Sequence, residues 1–220
     1  MTPFNLKPIV REETTKERVY REIKSGILNG MIPPGEIFTE VKMAELLNIS
    51  RTPVREALQD LIKEGLVIAI PRKGLTVRKV TEEEIDQIFL LRTAIEREVV
   101  RKLTGRITDK QLDQLEQICK EQEQAKSEQD NVTFINLDQV FHITLTKFAN
   151  MELVEQVMLN LQQLSVLIGL QGVRRKSRMD EVLVEHRAIL DALRSQDPDR
   201  ATAAVTEHLH QSKVSLGTSK

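Results

Sequence analysis

No stretch of the 220-residue sequence approaches the ~20 consecutive apolar residues that a membrane-spanning helix needs. The opening residues, Met1 to Val10, hold two prolines and no apolar run, which is not the pattern of a secretory leader. A single cysteine, Cys119, excludes an internal disulfide and agrees with a reducing compartment, so the expected location is the cytoplasm. Its helical setting marks Cys119 as a buried filler rather than a reactive thiol. Net charge is also nearly absent, at −1, but the average hides an asymmetry. Residues 1–80 carry 14 Lys and Arg against 10 Asp and Glu, whereas residues 81–220 carry 18 against 23. The basic half is the candidate for phosphate contact, although a modest surplus of solvated charge fits almost as well.

The length suits two compact domains, and the hydrophobic patterning changes near residue 80. Residues 1–13 show no sustained period and read as a flexible arm. From Thr14, Val19, Ile23 and Ile27 recur every four residues, and Gly30 supplies a stop: helix one. Pro33-Pro34-Gly35 is a turn. Thr39 caps a short second helix whose Met43, Leu46 and Leu47 are expected to face inward. Ser50 is placed to cap a third, Arg51 to Glu64, with Pro53 tolerated in its first turn and Val54, Leu58, Leu61 and Ile62 as its buried stripe. Leu66–Ile70 and Leu75–Val80 then read as two strands around a Pro71–Gly74 turn.

Beyond Thr81 the pattern is helical throughout. Thr81 and Thr108 each open a capping box, for helices to about Leu103 and Ser127. Further helices are expected at about 131–148, 151–172, 178–195 and 198–215. The predicted fold is therefore mainly α. It has an N-terminal winged helix-turn-helix of three helices plus a β-hairpin wing (14–80) and a C-terminal antiparallel six-helix bundle (81–220).

Two short helices joined by a tight turn, the second presenting Arg51, Thr52 and Arg55 near its start, suit a DNA major groove. Arg51 and Arg55 lie four apart, opposite the apolar stripe, and the hairpin tip at Arg72, Lys73 and Gly74 can reach a neighbouring groove or phosphate. Surface salt bridges on a protein-binding winged helix are the competing reading.

The stretch Ser50-Arg51-Thr52-Pro53-Val54-Arg55-Glu56-Ala57-Leu58, with Pro33-Pro34-Gly35 and the wing Arg72-Lys73-Gly74, resembles the GntR family of bacterial transcription regulators. The resemblance implies operator contacts by Ser50, Arg51, Thr52 and Arg55 and by the glycine-bearing wing. One departure stands out: many members have a DNA-contacting arginine after the glutamate that resembles Glu40, whereas this chain has Val41, followed by Lys42.

In the second half, Asp138 and His142 stand four apart on one predicted helix, and His186 and His208 lie on the last two, expected to be neighbours. One carboxylate and three imidazoles suit a borderline divalent ion such as Zn, Ni or Mn, while buried histidines with ordinary hydrogen bonds are the commoner case. Residues 81–215 resemble the FCD domain, the helical effector domain of the FadR subfamily. The resemblance is carried by Ile88-Phe89-Leu90-Leu91-Arg92-Thr93-Ala94-Ile95-Glu96, Phe141-His142, Glu185–Leu193 and Glu207-His208-Leu209. It implies a metal held by Asp138, His142, His186 and His208; His210 matches no ligand position and is expected in solvent. Arg92 is a candidate to pair with a carboxylate effector, or equally to form an ion pair with Glu96 four residues on.

Taken with the resemblance, the expectation is a ligand-responsive regulator, not an enzyme. It would bind palindromic operator DNA as a homodimer, with affinity tuned by a small organic acid at a metal-containing site and no membrane partner. A metalloenzyme and a purely architectural DNA-binding protein are the rivals.

Overall fold

The computed structural model describes residues 13–172 and 177–217. All but the last residue of the expected arm, 1–13, lies outside them. The chain divides into two compact units, at Arg78 and Lys79.

In the first unit, α1 (Thr15–Leu28) begins at Thr14, whose side chain and that of Glu17 cap each other's backbone N–H. After the turn come β1 (Ile37–Phe38), α2 (Glu40–Leu47) and α3 (Arg51–Lys63), then β2 (Val67–Ile70) and β3 (Gly74–Val77). Val19, Ile23 and Ile27 of α1 meet Val54, Ala57, Leu58 and Leu61 of α3 in a buried apolar core closed by Phe38, Leu66 and Val67. Each Val, Leu, Ile or Phe side chain among them contributes roughly 1.5–3 kcal/mol by burial.

Three details depart from the sequence expectation. The wing is a three-stranded antiparallel sheet of order β1-β3-β2, because Ile37 and Phe38 pair with Thr76 and Leu75. Two residues are too few to show an alternating pattern, so that strand read as a connection. Leu46 is 68% exposed rather than inward. On a helix of only two turns, the buried arc runs through Met43 and Ala44 to half-buried Leu47, and Leu46 lies about 100° from its centre. Ile62 likewise sits at the edge of the α3 stripe and is partly exposed, with Ala57 taking the buried place.

The second unit is a bundle of α4 (Glu82–Leu103), α5 (Asp109–Ser127), α6 (Asn131–Phe148), α7 (Glu152–Gly172), α8 (Arg178–Arg194) and α9 (Pro198–Gly217). Capping boxes at Thr81 and Thr108 start the first two. α4 packs on α9, α5 on α6 and α8, and α8 on α9. Phe134, Phe141, Leu115, Ile189, Leu190 and Leu193 form its apolar centre. Cys119 is buried there, and burial pushes its thiol up to about 12, consistent with an inert filler. Among the described residues no helix is long and apolar enough to cross a membrane.

Candidate functional site

The start of α3 is open to solvent. Ser50 holds the N-cap backbone geometry (φ −68°, ψ 157°), yet its side chain makes no capping hydrogen bond. Its hydroxyl is therefore not committed to the helix it precedes, contrary to the capping role read from sequence. Ser50, Arg51 and Thr52 are exposed, and among the described residues Arg51 has neither an ion-pair nor a hydrogen-bond partner. Arg55 differs: its Nε donates to Glu40 Oε2 at 2.9 Å, so the salt-bridge reading describes Arg55 in the free chain and not Arg51. Val41 is exposed, while Lys42 lies 3.7 Å from Glu36.

At the wing tip the Lys73 N–H donates to the Ile70 carbonyl at 3.0 Å, closing a β-turn with Pro71 and Arg72 at its centre. Arg72, exposed at the tip, has φ 62°, a conformation unusual for a residue with a side chain. Gly74 has φ 133°, and a Cβ there would come within 2.5 Å of the Phe38 carbonyl oxygen, so glycine is required where β1 crosses the wing.

In the helical unit α6, α8 and α9 bring Asp138, His142, His186 and His208 together: one ligand atom from each lies within 4.8 Å of all the others, and all four residues are buried. His142 Nε2 and His208 Nε2 are 3.1 Å apart. His186 Nε2 lies 3.4 Å from Asp138 Oδ1, and His142 Nε2 lies 3.9 Å from Asp138 Oδ2. His210, by contrast, is exposed.

The far side of each imidazole fixes its tautomer. His208 Nδ1 meets Glu185 Oε2 at 2.7 Å and His186 Nδ1 meets Gln122 Oε1 at 2.9 Å, so both carry their proton on Nδ1. His142 Nδ1 lies 2.5 Å from Glu96 Oε2, close but poorly aligned for a hydrogen bond. The carboxylate nonetheless places the proton on that nitrogen. All three Nε2 lone pairs then turn toward one point, two of them in contact, and His186 Nε2 is a buried atom without a hydrogen bond. Facing lone pairs repel unless a cation sits between them, and 3.1 Å is a natural spacing for two nitrogens each ~2.0–2.1 Å from a shared ion. The donor set fits a borderline divalent metal.

The electrostatics agree. Burial pushes the Asp138 carboxyl up, but the His186 contact and the positive charge that His142 and His208 carry when protonated in acid outweigh it and hold the group well below its ordinary value. Desolvation lowers His186 to about 4, and lowers His208 despite Glu185, so these two imidazoles are neutral donors at neutral pH. Glu96, buried beside Arg92 and His142, is held at about 2; desolvation opposes those charges and loses.

A cavity beside the cluster is lined by Asp138, Gln139, Ser165, Arg92 and Arg178 against Ile88, Phe89 and Ile168. Of the two sequence readings of Arg92, the ion pair with Glu96 is formed. Its Nε donates to Glu96 Oε1 at 2.8 Å, while its Nη2 is buried with no partner among the described residues, as is the Ser165 hydroxyl. Glu185, Gln122, Arg178 and the Glu96 contact with His142 were not foreseen; only the Arg92–Glu96 spacing carried a local signal.

The profile described as "Bacterial regulatory proteins, gntR family" matches residues 15–77, and that of the FCD domain matches residues 87–211. The HTH-type transcriptional repressor RspR of Escherichia coli K12 is 30% identical over 204 residues, covering 93% of this chain and 90% of the relative. The gluconate operon transcriptional repressor of Bacillus licheniformis is 28% identical over 203 residues, covering 90% of this chain and 82% of the relative. Among solved structures, a GntR regulator from Rhodococcus superposes with a TM-score of 0.80 at 23% identity, covering 93% of this chain and 99% of that one. Escherichia coli McbR/YncC gives 0.73 at 24%, covering 93% and 97%; these likenesses speak for the fold. Relatives aligned over nearly the full length carry transcription-regulator names, and the chain belongs to the GntR family of bacterial transcription regulators with an FCD domain.

Proposed function

We propose that the chain is a cytoplasmic repressor of the FadR subfamily that binds a palindromic operator as a homodimer and releases or tightens it in response to a small carboxylate. Residues 14–80 act as the DNA reader and residues 81–220 as the effector-binding and dimerising part. Ser50, Arg51, Thr52 and Arg55 meet base edges and phosphates, and Arg72, Lys73 and Gly74 form the wing contact. Two readers on a two-fold dimer meet half-sites about one DNA turn apart, so a shift in their spacing changes affinity.

Asp138, His142, His186 and His208 would hold a divalent ion such as Zn, Ni or Mn. Bound there, the ion supplies positive charge and an open coordination position for an anionic ligand. Arg92 anchors the effector carboxylate with its free Nη2. The observation that carries this reading is the meeting, around one cavity, of four ligand atoms within 4.8 Å and a buried guanidinium with an unused donor. The name of the gluconate operon repressor, a relative, points to a sugar acid in that system and supports the carboxylate class. Effector binding alters operator affinity only through its preference for one of two arrangements, commonly ~1–3 kcal/mol.

Selection of an operator from random DNA, followed by titration with and without divalent metal and organic acids, tests the proposal. A palindrome whose affinity changes with an acid is expected. Failure to enrich any sequence contradicts DNA recognition; an affinity indifferent to every metal and acid contradicts sensing and favours an architectural role.

A further inference from the structure

Two series of contacts run from the cavity wall to the histidine cluster. On one side Arg92 Nε donates to Glu96 Oε1 at 2.8 Å, and Glu96 Oε2 lies 2.5 Å from His142 Nδ1. On the other, Arg178 grips both oxygens of Glu185 at 2.6 and 2.7 Å, and Glu185 Oε2 accepts from His208 Nδ1 at 2.7 Å. Both arginines line the same cavity. His186 is different, because its Nδ1 faces the neutral amide oxygen of Gln122 at 2.9 Å. Two of the three imidazoles are thus joined, each through one carboxylate, to a guanidinium where an anion would sit.

We infer that Glu96 is a positioning residue that couples anion binding at Arg92 to metal binding at His142, while the parallel Arg178–Glu185–His208 series holds its histidine in place without responding. The two arms differ in spare capacity. Among the described residues Arg92 Nη2 is buried and unpartnered, so an anion gains a donor there without displacing any of them. Arg178 is already engaged: beyond Glu185, its Nη1 lies 3.3 Å from Glu181 and its Nη2 donates to Ser212 at 3.0 Å.

An anion on Arg92 offsets the positive charge that the guanidinium presents to Glu96. Glu96 then attracts the Nδ1–H of His142 more strongly, and the ring becomes a better electron donor at Nε2. The coupling is therefore positive, and by linkage the ion strengthens anion binding by the same factor. This inference rests on the metal-and-carboxylate reading of the cluster and adds the route between them. Direct ligation of the ion by the anion would also give positive coupling, but would not depend on Glu96.

Zinc titration of the metal-stripped full chain against a competing chelator, with acetate or with chloride at equal ionic strength, separates these cases. In the unaltered protein acetate is expected to tighten zinc binding about fivefold or more. Glu96→Gln is expected to weaken zinc by about 10–100-fold and to bring the acetate factor close to one. Glu185→Gln is expected to weaken zinc while keeping the factor. An acetate factor undiminished in Glu96→Gln overturns the inference. Absence of zinc uptake by the unaltered protein overturns instead the metal reading on which it rests.

Should Glu96→Gln fail to fold, nitrogen NMR of the zinc-loaded unaltered protein, labelled at histidine, gives the same decision. Acetate is expected to move the His142 Nδ1 signal more than that of His186. Equal shifts overturn the inference.

Discussion

In the DNA-reading unit, among the described residues, Arg51 stands in solvent without a partner and Arg55 holds only a half-exposed glutamate. In the helical unit Arg92 and Arg178 are buried, each bound to a carboxylate that touches a histidine. The same side chain serves two ends. Exposed, it keeps its charge for a polyanion that arrives from outside, and its ion pairs cost little to exchange. Buried, it is tied into a network in which every charge depends on the next, so a small ligand perturbs several groups at once. Loss of partners should therefore be severe in the second unit and mild in the first.

The largest effect is expected from Glu96→Ala. It leaves the Arg92 guanidinium buried without its counter-charge, a loss of about 3–5 kcal/mol. Glu40→Ala, which removes the exposed partner of Arg55, should cost no more than about 1 kcal/mol. Urea denaturation of both variants measures the contrast, and equal costs would break it.

Acid comes next. His186 is held at about 4, below its ordinary 6.5, because burial disfavours its charged form. As pH falls below 6.5, the unfolded chain takes up a proton that the folded chain refuses until about pH 4. Metal-free protein should therefore lose on the order of 3 kcal/mol across that window. Glu96, held at about 2 against an ordinary 4.5, loses its own contribution as pH falls further, from 4.5 toward 2. Thermal melts from pH 7 to pH 4 check the sign, and a stability that rises on acidification contradicts it.

Arg51→Ala should weaken binding to a selected operator by ~1–3 kcal/mol and relax preference at one base position. Stability should stay within ~0.5 kcal/mol, because no partner is lost. The smallest expected effect is that of Ser50→Ala on folding. A capping serine is worth ~1 kcal/mol, but this hydroxyl caps nothing, so the melting temperature should hold while operator affinity falls.

Much of the fold was legible because local chemistry decides it. The threonines at 39, 81 and 108 cap the helices that they announce, since the bond involved spans only three residues. What failed to show was decided at longer range. Ile37 and Phe38 become a strand only because β3 lies beside them. Leu46 was drawn inward by its hydrophobicity, but a helix of eight residues buries one arc and Leu46 is off it. The cluster shows the same division. Asp138 and His142 share a helical face, but the partners that aim the imidazoles do not announce themselves. Glu185 is next to His186 in sequence yet serves His208, and Gln122 is 64 residues from the His186 that it orients.

The most direct test of the proposed sensing site is calorimetric titration of metal-stripped protein with Zn2+, Ni2+ and Mn2+ at neutral pH, beside the His186→Ala variant. One ion per chain is expected, taken up with a rise in melting temperature and lost in the variant. No uptake by the unaltered protein, or equal uptake by His186→Ala, would contradict a metal centre at Asp138, His142, His186 and His208.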